Sequence, residues 1–142
     1  MKMLRLPTGN AICYSGYREG QDPNRQLYPS AAEIREDLHI LKKNWQLLRL
    51  YDCSLHAERV LRVIREDKLP FQVMLGAYLG AEMNNFGCPW GATYPEEQLE
   101  ANQRENAAEV ERLIKLARQY EDIVFSVAVG NEATVDWTDH YV

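Results

Sequence analysis

Two hydrophobic rhythms alternate along the chain. Short, nearly continuous apolar runs cover residues 11–17, 46–52, 71–76 and 123–129, the pattern of strands buried within a parallel sheet. Between them, apolar positions recur at helical spacing. Ile34, Leu38, Leu41 and Trp45 form one stripe, Val60, Leu61 and Ile64 a second, and Val110, Leu113, Ile114 and Ala117 a third. Ser30 followed by Glu33 predicts a capped helix start. A second helix is expected over residues 57–67, stopped before Pro70. Pro95, with Glu96 and Glu97 behind it, predicts the start of a third helix, which runs to Tyr120 with a break near Asn102. Residues 18–29 and 77–94 carry the glycines and prolines of loops.

The resulting order is βαβαβαβ. Apolar strands joined by helical crossovers imply a parallel α/β sheet with right-handed connections. Two architectures fit: an open doubly wound sheet, or an arc of a (β/α)8 barrel. In both, function sits at the carboxyl ends of the strands. Those ends are Tyr17-Arg18, Tyr51-Asp52, Gly76-Ala77-Tyr78 and Asn131-Glu132.

Composition narrows the class. The chain has 142 residues, 46% hydrophobic and 26% charged, enough for one domain with a core that needs no disulfide or metal staple. A net charge of −5 argues against nucleic acid as the main partner. No apolar run approaches the ~18 residues of a membrane span. The opening Met1-Lys2-Met3-Leu4-Arg5-Leu6-Pro7 lacks the apolar core of a secretory signal, so a cytoplasmic location is the default expectation. Cys13, Cys53 and Cys88 form no C-x-x-C pair and read as reduced, mostly buried thiols.

Several chemistries drop out. There is no G-x-G-x-x-G or Walker loop, no G-x-S-x-G elbow, and no metal-ligand spacing among His39, His56, His140 and the cysteines. Cys53 follows a strand end with no histidine indicated beside it. Neither cofactor nor metal is expected. What remains is acid and aromatic chemistry. Tyr14, Tyr17, Tyr51, Tyr78, Trp90, Tyr94 and Trp137 fall in or beside the strand-end loops, and aromatic faces with polar tips suit sugars. Asn131-Glu132 closes an apolar strand. A carboxyl there is expected to be partly desolvated, which favours the protonated, donating form. The plainer alternative makes Asn131 a turn cap and Glu132 an exposed surface acid.

These residues resemble glycoside hydrolase family 17, the β-1,3-glucanase and glucanosyltransferase family. The carriers are Val127-Ala128-Val129-Gly130-Asn131-Glu132, Leu48-Arg49-Leu50-Tyr51-Asp52, Cys13-Tyr14-Ser15-Gly16-Tyr17-Arg18 and Val73-Met74-Leu75-Gly76. Tyr28-Pro29-Ser30 and Glu36-Asp37-Leu38 agree with it. The resemblance runs from about Ile12 to Thr134. It implies the amino-terminal half of a (β/α)8 barrel, four parallel strands with three intervening helices. It also implies Glu132 as general acid/base and Asn131 as a sugar ligand beside the scissile bond, with Tyr14 and Tyr51 lining the same subsite and Asp52 close by. Strand alternation agrees for β-strand two: with Leu48 and Leu50 toward the helices, Arg49 and Tyr51 point inward. Arg49 then either orients carboxylates or forms a buried ion pair.

Retention requires a second carboxylate ~5–5.5 Å from the first. The family draws it from strand seven, and no residue here matches it; Asp52 is the nearest substitute by topology. The expectation is a partial barrel, truncated after strand four, that carries the acid/base without the nucleophile and is inactive alone. The expected ligand is β-glucan. Unpaired sheet edges, and an inner face at Val127 and Val129 left uncovered, predict self-association or pairing with a complementary half-barrel. A non-catalytic carbohydrate-binding or assembly module is the alternative. An open sheet with unrelated binding is the third reading.

Overall fold

The computed structural model describes residues 6–91 and 93–142; Met1–Arg5, part of the stretch read for a secretory signal, lie outside the described residues, as does Ala92. Four strands alternate with three helices: β1 (Ala11–Cys13), α1 (Ala31–Leu41), β2 (Leu47–Leu50), α2 (Leu55–Glu66), β3 (Gln72–Ala77), α3 (Glu96–Gln119) and β4 (Val124–Val129). All strand pairs are parallel and the sheet order is β1-β2-β3-β4. A doubly wound sheet reverses its strand order and carries helices on both faces. Neither occurs among the described residues: Ile34 and Leu38 of α1, Val60, Leu61 and Ile64 of α2, and Leu113 and Leu116 of α3 join one core with Leu48, Leu50, Val73 and Leu75. The helical layer therefore covers one face of a singly wound sheet, the order of an arc of a (β/α)8 barrel.

Local chemistry sets the boundaries. Ser30 Oγ accepts from Glu33 N (3.2 Å) while Glu33 Oε2 accepts from Ser30 N (2.7 Å), completing the expected capping box. β1 ends at Cys13, earlier than its apolar run suggests, because the chain from Tyr14 onward turns toward α1 and α2. α3 is continuous. Asn102 does not break it, since its side chain finds partners that do not compete with helical hydrogen bonds: Nδ2 donates to Ala81 O (2.7 Å) and Oδ1 accepts from Gln98 Nε2 (2.9 Å).

The buried face of α3 also differs from the apolar stripe. Asn106, Glu109, Leu113 and Leu116 are buried, and Ile114 is exposed. Asn106 and Glu109 tolerate burial because each is hydrogen-bonded. Asn106 Nδ2 donates to Gly80 O (2.9 Å) and its Oδ1 accepts from Gly80 N (2.8 Å). Glu109 accepts from Cys53 N (2.7 Å) and from Arg112 Nε (2.9 Å).

One further expectation is corrected. Val127 and Val129 pair in register with Leu75 and Ala77, which are buried on the helical side. They therefore belong to the outer face, not the inner one, where they are 50% and 60% exposed. The three cysteines are free and mostly buried, as expected: Cys53 and Cys88 are buried and Cys13 is exposed.

Candidate functional site

The face of the sheet opposite the helices carries Cys13, Arg49, Met74 and Phe125, which border a shallow hollow with Ala11 and Leu47. At its carboxyl edge, strand alternation turns Arg49 and Tyr51 of the β2 end to this open side. Gly76 is the β3 residue beside them. A Cβ there would lie 2.6 Å from Leu50 O and 2.8 Å from the Tyr51 carbonyl carbon, so only glycine lets β3 approach. It also leaves no side chain between β2 and β4.

Across that gap Arg49 Nη2 donates to Asn131 Oδ1 at 2.8 Å. The same guanidinium lies 4.6 Å from the Tyr51 ring centroid. Arg49 makes no ion pair among the described residues, so its role is the bond to Asn131. His140 Nε2 donates to Asn131 O at 2.9 Å and fixes the turn from behind. That turn is sharp: Gly130 has φ 78° and Glu132 has φ 56°. A left-handed glutamate is strained backbone of the kind that collects at functional sites.

Glu132 is exposed. The partial desolvation expected for it is absent, because the turn swings the residue out of the strand and nothing closes over it. Its charge acts on Tyr51. The Tyr51 hydroxyl is held above its ordinary value first by the Cys13 thiol beside it, then by burial, with Glu132 adding to the rise and Arg49 opposing it. Arg49, Tyr51, Asn131 and Glu132 thus form one group at the ends of β2 and β4.

Tyr14 and Asp52 are not brought into this group. Cys13 pairs with Arg49 and shares its face, so Tyr14 turns to the opposite side. There it is buried, donates to Asp37 Oδ2 (2.9 Å) and packs 5.5 Å from the His56 ring. Burial, then the hydrogen bond to Asp37, pushes its phenol up. Asp52 has the opposite parity to Tyr51. Its Oδ1 accepts from Ser54 N (3.1 Å) and Ser54 Oγ (2.6 Å), which ties down the start of α2. The aromatic set divides likewise. Tyr17 stacks on His56 at 5.2 Å, and its hydroxyl is pushed up to about 12 by burial and then by Asp52. Tyr78, Trp90, Tyr94 and Trp137 lie on the loops after β3 and β4. Cys53 is inert: burial pushes its thiol up to about 12, and Sγ donates to Gly76 O (3.1 Å).

The fold has a counterpart among solved structures. The chain is similar to an endo-laminarinase from Formosa Hel1_33_131. The two superpose with a TM-score of 0.70 and 33% sequence identity over 92% of this chain. The match covers 33% of the laminarinase chain, so these 142 residues span about a third of its length. No family model matches the sequence, and no curated protein does.

Sequence reasoning missed two contributors. His140 lies nine residues past Asn131 with no motif to join them. His56 lies just before the expected second helix and is considered in the sequence only as a metal ligand, yet its Nε2 accepts from Gly16 N (3.3 Å) and holds the loop after β1.

Proposed function

We propose that this chain forms the first four strands of a retaining β-1,3-glucan hydrolase or glucanosyltransferase of the family 17 type, with Glu132 as its general acid/base. The supporting observation is the Arg49–Asn131 hydrogen bond. It gathers Tyr51, Asn131 and Glu132 at the carboxyl edge of a sheet whose order matches a barrel arc and whose solved neighbour is a laminarinase.

In this reading Asn131, oriented by Arg49 and His140, donates through its amide NH2 to a sugar hydroxyl. Tyr51 offers its ring to the sugar and its hydroxyl to the same subsite. Glu132 gives its proton to the glycosidic oxygen as the bond to the anomeric carbon breaks. A second carboxylate, from polypeptide outside these 142 residues and about 5–5.5 Å from Glu132, attacks that carbon and forms a glycosyl ester that water or a sugar hydroxyl then displaces. Glu132 then takes the proton of the incoming water, or of a sugar hydroxyl in transfer. The open surroundings of Glu132 suit a site finished by the rest of the barrel wall and by bound glucan, whose cover favours the protonated acid.

The test has two stages. Alone, the chain is expected to bind laminari-oligosaccharides without cleaving them, and Tyr51→Ala is expected to weaken that binding about tenfold. In a longer chain that supplies the remaining strands, Glu132→Gln is expected to lower turnover of unactivated glucan by about 10²–10⁴. Wild-type turnover in that variant rules out the acid assignment. The exposure of Glu132 favours one other reading, a carbohydrate-binding module without catalysis. Undiminished saccharide binding with no turnover in the longer chain would select it.

A further inference from the structure

The ring of His140 lies between two groups that can only accept. Its Nε2 is 2.9 Å from Asn131 O, and its Nδ1 is 3.1 Å from Asp139 Oδ1. A backbone carbonyl and a carboxylate offer lone pairs and no proton. A neutral imidazole carries one N–H, so it satisfies one of the two and turns a lone pair toward the other. The imidazolium satisfies both. Asp139 is there as a carboxylate: the bond from His140 holds its acid below the ordinary range, against burial and with help from the Tyr94 hydroxyl.

The remaining neighbours do not supply a substitute. Thr138 Oγ1, 3.0 Å from Nδ1 and 3.3 Å from Nε2, is nearly equidistant from the two nitrogens and in line with neither. From the loop after β3, the Tyr78 ring packs 5.6 Å from the imidazole, and Tyr94 Oη donates to Asp139 Oδ2 (3.3 Å). From β2, Arg49 reaches Asn131 through Oδ1 and not the ring. The bond to Asn131 O has a direct consequence for the next residue. That oxygen and Glu132 N belong to one planar peptide unit, so holding the carbonyl orients the plane from which Glu132 takes its φ of 56°.

We propose that His140 is a positioning residue that works as an imidazolium: bonded to Asn131 O and Asp139 at once, it locks the Asn131–Glu132 peptide, and the turn loosens when the ring loses its proton. The proposal deepens the reading of Glu132 as the acid and rests on it. Clamp and acid then favour the same, lower pH, since each acts in its protonated form.

NMR on this chain tests the clamp without saccharide. The HN–Hα coupling of Glu132 follows its φ, and the His140 ring signals follow its charge. Between about pH 5 and pH 8 the coupling is expected to change in step with the ring. His140→Gln, which cannot titrate, and Asp139→Ala, which removes the acceptor that needs Nδ1–H, are both expected to abolish that step. An unchanged circular dichroism melt confirms folding of each variant. A coupling that stays constant while the ring titrates, or that changes equally in His140→Gln, overturns the proposal. In the longer chain that supplies the remaining strands, His140→Gln is expected to lower kcat about tenfold with KM within about twofold. A raised KM with unchanged kcat overturns it as well. The two readings fail separately. Wild-type turnover in Glu132→Gln removes the acid while the coupling still follows the ring, and a constant coupling removes the clamp while Glu132→Gln still loses turnover.

Discussion

Glu132 spends conformational energy to stand where it does. Its φ of 56° is a left-handed conformation that costs a non-glycine residue about 1–2 kcal/mol. Glu132→Gly is therefore expected to raise stability by about 1 kcal/mol in urea unfolding, while removing any acid function. Gly76 is the opposite case. Gly76→Ala drives a Cβ to 2.6 Å from Leu50 O, and a loss of about 2 kcal/mol or more is expected in the same assay. At this scale the sequence was half legible. Parity along β2 correctly turned Arg49 and Tyr51 together, because two residues of one strand share a face. Parity also separates Tyr14 from Cys13 and Asp52 from Tyr51, and motif resemblance concealed that. Tyr14 and Asp52 keep the loops in place through Asp37 and Ser54 and do not line the open face.

Elements are held by single polar contacts as much as by their apolar stripes. Ser30→Ala removes one half of the α1 capping box and is expected to cost about 1 kcal/mol. His56 couples α2 to the loop after β1. It accepts from Gly16 N, and burial depresses its pKa, opposed by the charges of Asp52 and Asp37. A depressed histidine binds its proton more readily in the unfolded chain. Its contribution to stability is thus complete above the ordinary histidine pKa of about 6.5 and falls as pH drops from there toward the lower folded value. Urea midpoints measured between pH 7 and pH 5 are expected to fall in the wild type and to flatten in His56→Phe. Helix existence was readable from period alone, but the inner face of α3 was not. Asn106 and Glu109 are polar residues buried by virtue of partners on β-strand loops far away in sequence, which no local pattern encodes.

Across the whole molecule, the parallel order follows from apolar runs separated by crossovers, and the single-sided helical layer selects between the two architectures. What escaped the sequence was the facing of the last strand. The β-bulge opposite Met74 shifts the register of β4, so Val127 and Val129 turn outward. Two bare valines on an edge strand favour association. Sedimentation velocity is expected to show mass rising with concentration, and Val127→Lys with Val129→Lys to suppress it; a wild-type monomer at high concentration would exclude this. One dimension remains consequential. The 24 residues of α3 extend about 36 Å, against about 20 Å for the six residues of β3. Its first turns overhang the carboxyl edge like a mast, and Asn102 and Asn106 moor the chain at Gly80 and Ala81 to it. Segments beyond those moorings can be exchanged or lengthened to alter ligand preference while the strands beneath keep their packing.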